Sequence, residues 1–154
     1  MLDQLSSTVN IEYNRSTREY NWTDPESGLM LSVPAKQKGE LFRAAVSMLD
    51  PDLYAAATRL ITKNPHFERI TWRAVEIVIS NGVETFPAAV DGTLAMVQSS
   101  DGMGRYAVTN EEGYMACQCE HYASFDAPMS MSGHRFCKHI VAFLLYQRTR
   151  ENRF

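Results

Sequence analysis

The sequence predicts an α+β fold: a helical N-terminal half, then a small antiparallel β-sheet, then a C-terminal helix. Three observations carry it. Proline-started segments with apolar residues at helical spacing fill residues 36–82, strand-like runs flank Asp101-Gly102, and the apolar "KHIVAFLLY" follows a crowd of cysteines and histidines. With 154 residues the chain suits one ordinary domain with its own core. A hydrophobic content of 45% with 21% charged residues is that of a folded protein.

Residues 1–35 hold Arg15 and Arg18 against Asp3, Glu12, Glu19, Asp24 and Glu26, and mix turn-forming residues with short apolar pieces. They read as an acidic, loosely structured arm with room for one hairpin. Tyr13, Tyr20 and Trp22 are expected to dock back on the domain rather than on a partner. Residues 36–154 are expected to form one folded unit, with a helical segment over 36–82.

Within that segment, "AKQKGELFRAAVSML" places Leu41, Ala44, Ala45 and Met48 at helical spacing. "DPDLYAAATRLITKN" starts with Asp50 as N-cap and Pro51 at the first helical position, and sets Leu53, Ala56, Ala57, Leu60 and Ile61 on one face. Asn64 and Pro65 repeat the cap-then-proline start before a third helix that stops at Asn81-Gly82. The β-branched "VEIVIS" inside it has strand propensity that competes with the helix.

After Gly82, "TLAMVQSSDGMGRYAVT" is two strands around Asp101-Gly102, a dipeptide suited to the positive φ of a tight hairpin. "NEEGYMACQC" adds a second turn and a third short strand that runs into the cysteines. "KHIVAFLLYQRTR" is apolar on most sides and then basic, as in a buried terminal helix with a solvated tail. There is no internal repeat and no low-complexity segment.

Several classes are disfavoured at once. The start "MLDQLSSTVN" lacks the basic cluster and apolar run of a signal peptide. The longest apolar run, "IVAFLLY", is far below the roughly 20 residues that cross a bilayer. The formal charge of −3 gives no global attraction to nucleic acid, although residues 113–154 are mildly basic. Three cysteines cannot all pair, so a reducing, intracellular (cytoplasmic) setting is expected rather than a secreted disulfide framework.

All three cysteines and three of the four histidines fall within residues 117–139. Thiolate plus imidazole is the commonest structural ligand set for zinc, and Cys117-x-Cys119 with Cys137-x-His139 supplies four such ligands. In an extended strand, i and i+2 share a face, so the first pair belongs at a strand end. On a helix i and i+2 diverge, so Cys137 must precede the last helix, with His139 in its first turn. The seventeen residues between the pairs then form a loop pinned by one structural Zn2+. His121 and His134 are loop residues, because four ligands already close a structural site.

The order C-x-C, loop, C-x-H resembles the SWIM zinc-finger family. "CKHIVA" is similar to that family's cysteine-lysine-histidine run, and "AMVQSSDGMGRYAV" with "GYMACQC" looks like its preceding strands. The resemblance covers about residues 70–148, half of the chain, leaves the first 65 residues uncovered, and is to a small stand-alone type. Glu120-His121-Tyr122 departs from the proline and acidic residue that often follow the second cysteine. The resemblance implies Cys117, Cys119, Cys137 and His139 as ligands and a non-enzymatic role in protein–protein and nucleic-acid contacts. It implies a setting in recombination, repair, transposition or mobile-element complexes.

Enzyme signatures are missing. The zinc-deaminase pattern is absent, "DGMG" lies in a hairpin rather than before a helix, and a cysteine nucleophile would need a thiol that the metal occupies. Glu120 and Asp126 read as solvated loop carboxylates. The leading expectation is a protein partner within a DNA-processing complex, with nucleic acid touched mainly inside that complex. The alternative is direct DNA binding through Arg135, Lys138, Arg148, Arg150 and Arg153; a zinc- or cysteine-dependent enzyme comes last.

Overall fold

The computed structural model describes residues 9–86, 92–99, 103–123, 127–129 and 133–151, and is a mixed helix and antiparallel-sheet structure, an α+β fold. The chain falls into two compact units, Met1–Ala55 and Ala56–Phe154. The division lies inside the helix Pro51–Lys63.

The first unit corrects the expectation of a loose arm. Strands β1 (Glu12–Asn14), β2 (Glu19–Thr23) and β3 (Met30–Pro34) form an antiparallel sheet in the order β1-β2-β3. Each strand contributes few apolar residues, but they alternate. Trp22 sits opposite Leu31 and Tyr20 opposite Val33, and this face packs on helix α1 (Lys38–Leu49). Trp22, Leu41 and Ala45 are buried there with Ile11, Val33 and Leu49 around them. Trp22 therefore docks within its own unit as expected, while Tyr13 stays about half exposed and tilts against Tyr20.

The turns of this sheet are built by side chains. Asn14 accepts the Ser16 amide at 2.9 Å, and Arg18 closes the first turn with φ 56°. Asp24 accepts the Glu26 amide at 3.2 Å and the Ser27 hydroxyl at 2.6 Å. These bonds hold Asp24 below the usual carboxylate range, the Ser27 hydroxyl first and the Glu26 amide next.

Helix α2 (Pro51–Lys63) starts as expected, Asp50 Oδ1 accepting the Leu53 amide at 3.1 Å. Asn64 does not repeat that cap. Its backbone carbonyl accepts the Phe67 amide within a 3-10 turn, Pro65–Phe67, while its side-chain amide donates back to the Leu60 carbonyl. Helix α3 (Glu68–Ile79) follows, so helix wins over the strand propensity of "VEIVIS". The reason is burial: Ala74, Val75, Ile77 and Val78 line one side against the last helix.

The stop at Asn81-Gly82 is a Schellman motif. Asn81 takes φ 58°, its amide donates to the Val78 carbonyl, and the Gly82 amide donates to Ile77 at 2.8 Å. A Cβ on Gly82 would come within 2.9 Å of Ile77 Cγ2.

The second sheet has four antiparallel strands in chain order: β4 (Val83–Thr85), β5 (Thr93–Gln98), β6 (Arg105–Glu111) and β7 (Tyr114–Cys117). β4 adds a strand to the three expected. The Asp101-Gly102 dipeptide lies outside the described residues, but Gln98 pairs with Arg105 as a hairpin there requires. The second turn has Glu112 at φ 52° and Gly113 at φ 94°, the two positive angles of a type I′ turn. Helix α5 (Lys138–Tyr146) packs on this sheet and on α3, which buries Ile140, Val141, Ala142, Phe143 and Leu145. It is core, as its all-round apolarity predicts. Among the described residues no helix is long and apolar enough to cross a membrane.

Candidate metal centre

Strand β7 ends on Cys117, so the first pair does sit at a strand end. Cys119 lies just beyond, immediately before the short helix α4 (Glu120–Ala123). Cys137 is the N-cap of α5 with extended backbone (φ −93°, ψ 171°), and His139 occupies the first turn. The extended cap removes the divergence that a helical i, i+2 pair would have. The four ligand atoms gather within 4.8 Å of one another, and all four residues are buried.

The distances fit an ion. With metal–sulfur bonds of about 2.3 Å and metal–nitrogen bonds of about 2.0 Å, tetrahedral S···N edges are about 3.5 Å. Nδ1 of His139 lies 3.8 Å from Sγ of Cys117 and 3.8 Å from Sγ of Cys137. The cluster can therefore hold one metal ion with a small contraction.

Backbone amides also favour thiolates here. The Tyr122 amide, in the first turn of α4 and three residues after Cys119, donates to Cys119 Sγ at 3.4 Å in the manner of an N-cap, and the backbone amides of Ile140 and Cys119 favour the thiolate forms of Cys137 and Cys117. The sequence placed Cys137 before a helix but gave no sign of α4.

Without an ion, three packed thiols divide their protons unequally. Thiol donors from Cys117 and then Cys137 hold the Cys119 sulfur far below the ordinary thiol range. The same bonds, to Cys119 first and Cys137 next, together with burial push Cys117 far up. For Cys137 the bond with Cys117 pulls down, while the bond with Cys119 and burial push up, leaving it at about 11. His139 Nε2 is buried without a hydrogen-bond partner among the described residues, and its ring lies 4.8 Å from that of Tyr106.

The loop between the pairs is tied down locally. Met129 bridges Arg135, the Phe136 amide donates to Pro128 at 2.9 Å, and an Arg135 guanidinium N–H reaches the Ala127 carbonyl at 3.4 Å. From outside the loop, a His66 Nε2–H donates to the Met129 carbonyl at 2.8 Å, and Phe67 meets Phe136 edge-on at 5.6 Å. His121 and His134 are exposed and stand outside the four-residue cluster. Asp126 lies outside the described residues, and Glu120 is exposed.

Of the five basic residues expected to touch phosphates, the four that are described come from different parts of the second unit. Lys138 lines a cavity beside the metal ligands, whereas Arg135 is engaged within the loop. Arg148 and Arg150 lie on a π-helical turn, Gln147–Glu151, past the far end of α5, and Arg150 donates to the Thr149 hydroxyl. Arg153 lies outside the described residues. The cavity has other polar walls: His66, Arg69 and Arg73, which come from the helical segment and carry no ligand-like spacing in the sequence. The one available signal was the i, i+4 pair of arginines on α3.

Comparison with protein-family models, curated proteins and solved structures gives no match for this chain.

Proposed function

We propose that this protein is a zinc-binding accessory protein in which Cys117, Cys119, Cys137 and His139 hold one structural Zn2+. The observation that carries this reading is the convergence of four buried Cys/His ligand atoms within 4.8 Å. Three thiolates and one imidazole are the donor set zinc takes in structural sites, and four protein ligands leave no open position for a reacting water. The ion would tie together the β7 end, the loop and the start of α5, which are separated by about twenty residues of chain.

The order C-x-C, loop, C-x-H and the "CKHIVA" run support a SWIM-type finger, and with it a place in a DNA-processing complex. Partner binding ranks above direct duplex binding. The chain carries a formal charge of −3, and Arg148 and Arg150 follow the end of α5 whereas Lys138 stands at its start. Leu29 and Met30 at the start of β3 are more than half exposed, apolar surface of the kind partners use.

Metal analysis of protein prepared without added zinc tests the centre: about one zinc per chain is expected. Zinc-free protein that keeps its fold would end the reading. Capture of partners from the native host tests the setting, and a metabolic enzyme as recurrent partner would overturn the DNA-processing assignment.

A further inference from the structure

A cavity of about 560 Å³ opens beside the metal ligands, within the size range of small-molecule sites. Its wall includes Arg69 and Arg73 from α3, Lys138 from α5, His66, Tyr106 from β6 and Glu120. Among the described residues, three cations thus share it with a single carboxylate. A zinc-loaded Cys3His centre adds one net negative charge, which still leaves positive charge in excess.

Arg69 and Arg73 are i and i+4 on one helix face, and both are exposed. Like charges at that spacing repel, and neither arginine has a carboxylate partner among the described residues. Two neighbouring guanidinium forks match the oxygens of a phosphate, and Lys138 adds a third cation. The Tyr106 and His66 rings supply flat apolar surface in the same cavity, the pairing of cation and aromatic found where single-stranded nucleic acid binds.

We propose that this cavity binds a phosphate-bearing nucleotide unit of a single-stranded nucleic acid, with Arg69 and Arg73 on the phosphate. The inference rests on the zinc reading, since the ion's ligands Cys137 and His139 hold Lys138 at the cavity wall. It moves the phosphate contact from the C-terminal arginines to the face of α3.

The test uses full-length protein whose zinc content has first been measured, so that failure of the metal centre is seen separately. A fluorescently labelled oligothymidylate is titrated by anisotropy, with a mononucleotide and inorganic phosphate as competitors. Saturable binding is expected, with at least a tenfold loss in the Arg69→Ala/Arg73→Ala variant. The slope of log affinity against log salt should fall by roughly 0.7, the share of one neutralised phosphate on a single strand. Arg59→Ala, an exposed charge loss on α2, should leave binding unchanged. Competition by the mononucleotide at the oligomer's own affinity would identify a free nucleotide as a sufficient source and support the site. Zinc-loaded protein that does not bind, or binding that survives the double variant and is lost in Arg148→Ala, would overturn it.

Discussion

The Nδ1 of His139 and the Sγ of Cys117 stand 3.8 Å apart across 22 residues of chain. Such a contact ties the end of β7 to the start of α5, and an ion between them would turn proximity into a bond. Cys117→Ala, Cys119→Ala, Cys137→Ala and His139→Ala should each weaken zinc by more than the roughly 10–100-fold that loss of an outer-shell partner costs. His121→Ala and His134→Ala should not, since both side chains are exposed and outside the cluster. Competition against a chromophoric chelator measures all six. A His134→Ala effect as large as that of His139→Ala would show the ligand set to be wrong.

Uptake of the ion should release protons. The metal-free cluster favours one thiolate at Cys119, with Cys117 pushed far up and Cys137 at about 11. At neutral pH two thiols must therefore lose their protons, so binding expels about two protons per ion. Affinity should rise with pH through the neutral range and fall in acid, by roughly two decades per unit. Calorimetry in two buffers of different ionisation enthalpy counts the protons. A count near zero would mean that the thiols ionise before the metal arrives.

A second pH effect belongs to the N-terminal sheet. Asp24 is held low by the Ser27 hydroxyl and the Glu26 amide, so its contribution is present above the ordinary value of 3.8. That contribution is lost as the pH falls through the lower, folded value. Carboxyl chemical shifts should place the Asp24 midpoint below 3.8, and Ser27→Ala should raise it. An unchanged midpoint in that variant would remove the hydroxyl as the cause.

The legible parts of the molecule were those with a local physical signature. Asp50 before Pro51, Asn81-Gly82 and the i, i+2 logic of the ligand pairs all depend on a few neighbouring residues, and each takes the form anticipated. The sheet of residues 12–34 was harder. Its strands carry only about two apolar residues apiece, and their alternation gains meaning only once Trp22 and Leu31 are paired. The cavity was hidden for a related reason. His66, Arg69 and Arg73 are separated from Lys138 by most of the second unit, and packing of α3 along α5 brings them together.

Phe67 tests whether that packing supports the metal centre. It is 2% exposed and meets Phe136, the residue immediately before Cys137, edge-on. Phe67→Ala removes the ring and leaves a cavity, which should cost about 3–5 kcal/mol of stability. Phe67→Leu keeps most of the volume and should cost less. If Phe136 is positioned by this contact, zinc should also leave Phe67→Ala faster than wild type under conditions where both remain folded. Urea unfolding gives the first quantity, and transfer of zinc to a fluorescent chelator gives the second. Reduced stability with an unchanged zinc release rate would confine Phe67 to the core and remove it from the support of Cys137.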